Sequence, residues 1–320
     1  MDISVILCTF NRCRLLPAAL ESVAASKMPS GIAWEVLVVD NNSTDQTREV
    51  VEAFSRHHPG RFRYFFEPHP GKSYALNAGI AAAKGDALAF MDDDVTVVPD
   101  WLWNLVAPVT VEGFAGTGGR VVPRWETEPP SWLPNEGWAS TGPLVSFDRG
   151  DEGHILKESP FGTNMAYPRR AFEQYGGFRV DLGPCPYNEI RNEDSEFARR
   201  LLRAGERLYY VPSAVVYHPV TEDRLTKKYF LTWWFDKGRS QIRESGIPGD
   251  VGWLIRGIPL VMFRRLARWT VQWFMTLNPR RRFGCKLKAW CSLGLIAECH
   301  STFRSSSAHS EVAVGNRPVS

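Results

Sequence analysis

The first half of the chain alternates short apolar runs with amphipathic segments, and this alternation limits the folds open to it. Each run has the composition of a buried strand, and each is followed by apolar residues at helical spacing. The runs are Ile3–Phe10, Trp34–Val39, Phe62–Phe66 and Ala87–Met91. Continuous apolar strands separated by helices are typical of a parallel sheet covered on both faces. The sequence therefore predicts an α/β fold built on a mostly parallel sheet flanked by helices.

Polar side chains follow three of these runs at the point where each strand is expected to end. Thr9 to Asn11 end the first run, Asp40 to Asn42 follow the second, and Asp92 to Asp94 follow the fourth. In open α/β sheets, ligands bind beyond the carboxyl ends of the strands. These polar residues are therefore expected at a ligand-binding edge of the sheet.

The three adjacent carboxylates, Asp92 to Asp94, repel one another unless a cation lies among them. Hard oxygen ligands favour Mg²⁺ or Mn²⁺, and Mg²⁺ commonly binds few protein carboxylates together with substrate phosphates. The alternative is a solvated acidic turn or a helix cap, and the triplet alone leaves both interpretations open. Its position at a strand end in an α/β pattern favours the metal site.

Other candidate residues also have two interpretations. Glu193 and Asp194 begin a segment with helical spacing, where acidic residues complement the helix dipole, or where one of them acts as a general base. Lys72 is either a solvated side chain or a point charge near a diphosphate. His218 is either an ordinary hydrogen-bonded histidine or a third metal ligand. Asp40 either belongs to a turn or binds a base or ribose.

Seven stretches of the chain together resemble glycosyltransferase family 2, whose catalytic domain has the GT-A fold. They are SVILCTFNR (4–12), VVDNNSTDQT (38–47), GKSYALNAGI (71–80), ALAFMDDDV (87–95), FGTNMAYPR (161–169), NEDSEF (192–197) and VYHP (216–219). They occur in the family's order. The resemblance implies a Rossmann-like sheet and an enzyme that moves a sugar from a nucleotide-diphosphate sugar to a hydroxyl acceptor.

The resemblance also implies a donor site and a metal site. The residues implied for binding the nucleotide sugar are Thr9, Asn11, Asp40, Lys72, Asn77, Asp92 and Asp93. Within this set Asp92 is directed towards the ribose, and Asp93 is the variable middle residue of the D-x-D motif. Asp94 and His218 are implied to bind the divalent cation, Mg²⁺ or Mn²⁺, that clamps the diphosphate.

A base and an acceptor site follow from the same resemblance. Asp194 is the implied catalytic base, with Glu193 beside it orienting the acceptor, and Gly162 and Asn164 are implied to border the sugar and acceptor. Proton removal by Asp194 during attack on the opposite face of the anomeric carbon gives inversion. The Q-x-x-R-W signature of processive synthases is missing after the base, and WWFDKGR (233–239) is not an equivalent. Transfer of a single sugar is therefore expected.

The last part of the chain is basic. Residues 251–320 hold 11 Lys and Arg against 2 Glu, a net charge of +9, and since the whole chain carries +3, residues 1–250 carry −6. Charge alone leaves an anionic lipid surface, nucleic acid and a solvated basic face open. Aromatic residues interleaved with arginines favour a membrane interface, and the alternative is a helical pair packed on the catalytic domain. Nucleic acid is not expected as a partner, because residues 1–250 are acidic.

Three parts of the chain are expected from these patterns. They are a catalytic domain at 1–225, a helical, amphipathic extension at 226–304 and a disordered Ser-rich tail at 305–320. Residues 124–160 are rich in Trp, Pro and Gly, and they are expected to form a long loop region that shapes an acceptor pocket.

The cysteine pattern and the N-terminus bear on location. The six cysteines include no C-x-x-C pair, which favours reduced thiols in a cytosolic setting. The pattern of a signal peptide is not seen, and no apolar stretch has the length of a membrane span. The expected location is cytoplasmic, peripheral on the inner face of the cytoplasmic membrane, with a lipid-linked or cell-envelope glycan as acceptor.

Two other classes of protein remain as alternatives. A sugar nucleotidyltransferase has a Gly-rich, basic loop after its first strand, and here that loop is TFNR (9–12), without glycine. A non-catalytic peripheral membrane protein has no need of an intact set of acids and histidine, yet Asp92, Asp94, Asp194 and His218 are all in place. Both observations favour the glycosyltransferase.

Overall fold

A computed structural model of the chain describes residues 1–133, 137–247, 253–255 and 257–314, without the side chains of 304–314. The chain divides into two compact units. The first unit consists of Met1–Glu128, Leu144–Asn188 and Asn192–Thr221. The second unit consists of Pro129–Pro143, Glu189–Arg191 and Glu222–Ser320. The second unit thus includes two short stretches that lie before the predicted boundary at residue 225.

The described residues of the first unit form a nine-stranded sheet. Its strands are β1 (Ile3–Thr9), β2 (Trp34–Asp40), β3 (Phe62–Phe66), β4 (Ala87–Asp92), β5 (Thr96–Val97), β6 (Gly116–Trp125), β7 (His154–Leu156), β8 (Met165–Pro168) and β9 (Leu208–Val220). The order is β3-β2-β1-β4-β8-β6-β9-β5, and β7 pairs with β9. Strands β1 to β4 are mutually parallel, as the apolar runs predict. Strand β8 is antiparallel to β4 and β6, whereas β6 and β9 are parallel.

The helices follow the strands in the order that the sequence predicts for the first half of the chain. They are α1 (Leu16–Ala24), α2 (Thr47–His57), α3 (Lys72–Ala82), α4 (Trp101–Thr110), α5 (Trp138–Thr141), α6 (Arg169–Tyr175), α7 (Glu193–Arg203), α8 (Lys227–Ser245), α9 (Leu260–Met275) and α10 (Pro279–Val314). A 3-10 helix spans Glu222–Leu225, and the strands β10 (Leu254–Ile255) and β11 (Ile258–Pro259) pair with each other. Helix α10 includes residues 305–314 of the tail that was expected to be disordered at 305–320, and residues 315–320 lie outside the described part of the chain.

Apolar layers cover both faces of the sheet, because successive residues of a strand point to opposite sides. On one face Val5 and Val38 pack with Leu20 of α1 and Trp101 of α4. On the other face, residues of the same strands pack with α3, α6 and α7, including Ile6, Leu37, Leu76, Phe172 and Phe197. This two-sided burial explains why most residues of β1, β2 and β4 are apolar.

The second unit is largely helical, in agreement with the predicted extension. Helices α8 and α10 pack with their backbones close together at Gly238, where an added Cβ would lie only 2.1 Å from the Cys291 carbonyl oxygen. The buried carboxylate of Glu298 binds two arginines of α8, Arg239 at 3.1 Å and Arg243 at 2.8 Å. Among the described residues, no helix combines the length and apolar character needed to cross a bilayer.

Candidate active site

The carboxyl ends of β1, β2 and β4 meet at one edge of the sheet. The parallel register pairs Thr9 with Asp40 and Cys8 with Asp92. The strand-end residues predicted to share a site are therefore neighbours, and they are fixed by the backbone ladder rather than by flexible loops.

Hydrogen bonds join the loops that follow β1 and β2. Asp40 is buried, and its carboxylate accepts from the Ser43 backbone N–H at 2.9 Å and from the Tyr64 hydroxyl at 2.8 Å. Asn11 has a left-handed backbone, with φ of 52°. Its N–H donates to Ser43 Oγ at 2.9 Å, and its side-chain oxygen accepts from the Thr44 N–H at 2.7 Å. These bonds hold the expected nucleoside-binding residues in one connected wall.

Arg12 pairs with two carboxylates of the acidic triplet. Its Nη1 lies 2.8 Å from Asp93 Oδ1 and 2.9 Å from Asp94 Oδ2, and each carboxylate side chain is only 6% exposed. Burial raises the pKa of Asp93 to about 6, with Arg12 opposing the rise and Asp94 adding to it. Neighbouring buried carboxylates repel each other, and the guanidinium of Arg12 reduces this repulsion without a metal ion.

Asp94 and His218 are brought together by sheet pairing across a long sequence interval. Strand β5 pairs Thr96 with Tyr217 of β9, which places the residues after Asp94 beside those before His218. His218 is 2% exposed, and its Nε2 lies 3.8 Å from Asp94 Oδ1. The carboxylate of the motif and the distant histidine therefore share one location, as the resemblance implies.

The separation of this pair is compatible with a shared divalent cation. Two ligands of one Mg²⁺ at about 2.1 Å each are about 3.0 Å apart in neighbouring octahedral positions and about 4.2 Å apart in opposite ones. The observed 3.8 Å lies between these values, so a small shift of either side chain would bring both to one ion. The described residues contain no group of three or more His, Cys, Asp and Glu side chains arranged for a metal. A set of two protein ligands suits Mg²⁺, which keeps water and phosphate oxygens in its remaining positions.

A second ionic group joins β4 to the start of α7. Lys72 Nζ lies 2.7 Å from Asp92 Oδ1 and 3.7 Å from Glu193 Oε1. The pKa of Asp92 lies below its usual value. Burial by itself would raise this pKa, but the charge and the hydrogen bond of Lys72 outweigh the effect of burial. Burial raises the pKa of Glu193 to about 7, with the Asp194 charge adding to the rise and Lys72 opposing it. Glu193 therefore exchanges a proton near neutral pH.

The raised pKa of Glu193 predicts a pH-dependent stability. Between about pH 4.5 and 7 the folded chain holds a proton on Glu193 that the unfolded chain releases. The contribution of this proton is full below that range and is lost as the pH rises to about 7. We expect Glu193→Gln, which stays neutral, to gain in Tm relative to the wild type between pH 5 and pH 8. If the Tm of the two proteins changes in the same way with pH, the prediction is contradicted. The control is Glu173→Gln, at an exposed glutamate.

Asp194 lies in the first turn of α7, half-buried, with both carboxylate oxygens held in place. Oδ2 accepts from the Gly162 N–H at 2.7 Å, and Oδ1 accepts from the Ser195 N–H at 2.6 Å. A Cβ added at position 162 would lie 2.9 Å from Oδ2, so this close approach requires glycine. A carboxylate has about four lone-pair sites, so sites remain for a hydroxyl group. Gly162 and Asp194 are thus brought together as the resemblance implies.

Asn164 is placed inside the fold instead. It is fully buried, and its side-chain oxygen accepts from Trp101 Nε1 at 2.8 Å. Its amide nitrogen donates to the carbonyl oxygens of Arg120 at 2.9 Å and Ala214 at 2.8 Å. These bonds join α4, β6 and β9, so the side chain is engaged in holding the sheet.

The position of Asn164 predicts a loss of stability rather than of acceptor binding. Asn164→Ala leaves one buried donor and two buried acceptors without partners, at about 1–3 kcal/mol each, so we expect the free energy of unfolding to fall by about 3 kcal/mol or more. Urea unfolding measures this. Asn104→Ala, which removes one exposed hydrogen bond, is the matched control. A raised KM for acceptor at unchanged stability contradicts the structural role.

Asn77 and Asn41 hold loops near the site. The amide of Asn77 pairs with the backbone of Phe178, donating and accepting at 2.8 Å. Asn41 accepts from the Gly71 N–H at 2.7 Å and donates to the His69 carbonyl at 2.7 Å, which fixes the chain just ahead of Lys72. The structure thus gives Asn77, expected near the ribose or diphosphate, a contact with a loop.

Arg12 and Tyr64 were not singled out by the sequence, and Asn41 was included only in the polar stretch Asp40 to Asn42, although each of the three binds a predicted residue or positions one. Arg12 and Asn41 lie inside the quoted motifs, at the ends of β1 and β2, so their positions carried a signal. Tyr64 is a residue of an apolar strand, and its hydroxyl reaches Asp40 only through the pairing of β2 with β3.

A mostly parallel sheet with D-x-D acids at the end of β4, joined through Lys72 to acids at the start of α7, defines a GT-A glycosyltransferase. The family model Glycosyl transferase family 2 matches residues 4–176, more than half of the chain, and the protein belongs to that family.

Relatives and a solved structure agree with this assignment. The succinoglycan biosynthesis protein ExoM of Rhizobium meliloti is 29% identical over 244 residues, which are 76% of this chain and 75% of that protein. The glucosyl-dolichyl phosphate glucuronosyltransferase of Haloferax volcanii is 29% identical over 231 residues, 70% and 71% of the two chains. The mannosyltransferase PcManGT from Pyrobaculum calidifontis, in complex with GDP-Man and Mn²⁺, has a TM-score of 0.56 at 19% identity and covers 98% of this chain and 79% of that chain. This structural likeness confirms the predicted GT-A fold.

Proposed function

We propose that the protein is an inverting glycosyltransferase that moves one sugar from a nucleotide-diphosphate sugar to a hydroxyl of a lipid-linked or cell-envelope glycan. One observation carries the proposal. Lys72 contacts Asp92 at 2.7 Å and Glu193 at 3.7 Å, so the acids that end β4 and the acids that begin α7 belong to one site. A donor diphosphate and an acceptor hydroxyl need such a shared site in order to react.

The donor is proposed to bind along the ends of β1, β2 and β4. The wall formed by Asn11 and Asp40 receives the nucleoside, and Asp92 faces the ribose. Lys72 and Arg12 supply positive charge for the diphosphate. Asp94 and His218 are the proposed ligands of Mg²⁺ or Mn²⁺, which when bound neutralises charge on the leaving nucleoside diphosphate.

Asp194 is the proposed general base. Its two backbone hydrogen bonds, to the N–H groups of Gly162 and Ser195, fix the carboxylate and leave lone pairs for an acceptor hydroxyl. The hydroxyl oxygen forms a bond to the anomeric carbon while the bond to the diphosphate oxygen breaks, and the proton passes to Asp194. Glu193, whose pKa is near 7, orients the acceptor by giving or accepting a hydrogen bond.

The acceptor class is supported by the names of relatives. One relative is a succinoglycan biosynthesis protein, and another is named for a glucosyl-dolichyl phosphate, which is a lipid-linked sugar. Enzymes that use such acceptors work where the lipid is. We therefore propose a cytoplasmic protein bound peripherally to the inner face of the cytoplasmic membrane.

The membrane contact is assigned to the second unit. Exposed apolar residues at the end of α9 and just after it include Phe274 (64% exposed), Met275 (77%) and Leu277 (94%). Arg280, Arg281 and Arg282 follow directly at the start of α10. Apolar side chains next to arginines are the composition of an interfacial segment.

Membrane binding is testable with vesicles. We expect the protein to co-sediment with anionic vesicles and not with neutral ones, with binding that weakens as salt rises. Phe274→Ser with Met275→Ser removes two apolar side chains that are proposed to enter the bilayer, so binding falls by about tenfold or more. Val111→Ser, an equally exposed apolar change in the first unit, is the control. Equal binding by both variants contradicts the assignment.

Transfer itself is tested with a panel of UDP-, GDP- and dTDP-sugars. We expect release of nucleoside diphosphate that depends on Mn²⁺ or Mg²⁺, and a product whose anomeric configuration, read by NMR, is opposite to that of the donor. Retention of configuration contradicts the single displacement. Absence of turnover and of binding across the panel contradicts the whole proposal.

A further inference from the structure

The second unit contains a cavity of about 610 Å³ that takes no part in the site described above. Its lining comes from α5, α8, α9 and α10. The lining residues are Trp138, Trp234, Gln241, Val261, Arg264, Arg265, Arg268, Trp269, Lys288 and Cys291. The volume lies within the range of about 300–1,000 Å³ usual for small-molecule sites.

The lining is strongly basic. Four of its residues are cationic, Arg264, Arg265, Arg268 and Lys288, and none is acidic. Within the described part of the chain, no salt bridge joins any of the four to a carboxylate, whereas the nearby Arg239 and Arg243 both bind Glu298. A concentration of like charge without a protein counter-ion favours the binding of an anion.

Tryptophan rings give this cavity defined walls. Trp138 and Trp234 are in edge contact with centroids 4.6 Å apart, and Trp234 Nε1 donates to the Ala139 carbonyl at 3.1 Å. The Lys288 ammonium lies 4.0 Å from the Trp269 centroid and 4.8 Å from that of Trp138. The lysine is therefore held between two rings, which restricts its position.

We propose that this cavity binds a phosphate or diphosphate group, as a second anion site separate from the donor site. Arginine matches phosphate oxygens with paired N–H groups, and the three arginines and one lysine carry enough positive charge to neutralise a diphosphate. The cavity exceeds the size of a diphosphate alone, and its tryptophan faces suit an attached sugar or isoprenoid carbon. The inference rests on the proposed function in one respect, since a lipid-linked acceptor is the substrate that carries such a group.

The shared chemistry is the phosphate group, and its sources differ in what else is attached. A diphosphate with one short chain enters the cavity from solution. A phospholipid headgroup is presented only by a bilayer. The probes are therefore inorganic pyrophosphate, geranyl diphosphate and vesicles of phosphatidylglycerol, each titrated onto the full chain by calorimetry, with a chelator present to remove divalent metal.

The decisive comparison uses two charge-matched double variants. Arg264→Gln with Arg268→Gln changes the cavity, and Arg56→Gln with Arg170→Gln removes the same charge from exposed positions of the first unit. We expect the cavity variant to bind pyrophosphate and geranyl diphosphate about tenfold or more weakly, because a charge-assisted hydrogen bond is lost at each position. The other pair is expected to keep the affinity of the wild type within about twofold.

Several outcomes overturn the inference. They are no binding of either soluble diphosphate by the wild type, an equal loss in both variants, and a cavity variant that loses only vesicle binding. The last outcome assigns the arginines to the bilayer surface. Since Arg264 and Arg268 are exposed, the variant is expected to keep the wild-type Tm, and Lys288→Gln gives an independent test of the same cavity. If the wild type binds diphosphate but transfers no sugar, the proposed function is contradicted and the second anion site is still supported.

Discussion

Asp194→Asn is expected to lower kcat by about 10²–10⁴-fold, since that is the usual contribution of a general base. The asparagine keeps the size of the side chain and one oxygen, which accepts from the N–H of Gly162 or of Ser195, but it does not take the acceptor proton. Donor affinity should change little, because Asp194 is not among the residues proposed to bind the nucleotide sugar. Initial rates at saturating substrates give kcat, and calorimetry with the donor and metal gives Kd.

The control for this variant is Asp100→Asn. Asp100 also stands at the start of a helix, α4, and it is exposed. A surface change of this kind is expected to alter rate by no more than about twofold. Because an amide at position 194 can face a backbone N–H unfavourably, the Tm of the variant is measured as well. If the Asp194→Asn protein is folded and has the kcat of the wild type, Asp194 is not the general base. Glu193 is then the next candidate for that role.

The parallel half of the sheet could be predicted from sequence because its strands are buried on both faces. Ile3–Phe10 corresponds to β1 at Ile3–Thr9, and Trp34–Val39 corresponds to β2 at Trp34–Asp40. Side chains on both faces of such a strand are buried, so most of its residues are apolar. The run can therefore be recognised in the sequence without knowing which strands pair with it. The polar residues that end three of the four runs mark the edge of the sheet.

The other half of the sheet could not be predicted in this way. Strand β8 runs antiparallel to its neighbours, and β6 pairs with β9 across an irregularity between Gly119 and Arg120. Within 124–160, expected to be a long loop region, the structure has the end of β6, helix α5 and strand β7, and residues 134–136 are outside the described part. Pairings between distant segments depend on tertiary contacts, which local periodicity does not encode.

The site shows the same division. Asp40, Asp92 and Asp94 lie where the strand ends predict them, because the parallel register brings these ends together. The meeting of Asp94 with His218 depends on the short β5–β9 pairing and was implied only by the family resemblance. The buried bonds of Asn164 depend on three separate elements, so a motif alone does not separate a structural asparagine from a binding one.

Arg12 adds a competitor to the expected metal site. Its guanidinium lies 2.9 Å from Asp94 Oδ2, the oxygen opposite the one nearest to His218. A divalent cation that binds Asp94 therefore has to share that carboxylate with Arg12 or displace it. This predicts moderate affinity for the free metal and tighter binding when a nucleotide diphosphate supplies further oxygen ligands and an anion for Arg12.

Asp94→Asn and His218→Ala are each expected to weaken Mn²⁺ binding by about 100-fold or more and to lower kcat by about 10²–10³-fold, since both remove a ligand and leave the diphosphate charge less neutralised. Free Mn²⁺ measured by electron paramagnetic resonance, with UDP or GDP present, gives the affinity independently of turnover. His154→Gln, an exposed histidine of β7, is the control. The metal assignment is contradicted if the wild type is fully active in a chelator and Arg12→Gln is inactive. In that case the charge of the leaving group is neutralised by Arg12 and not by a metal ion.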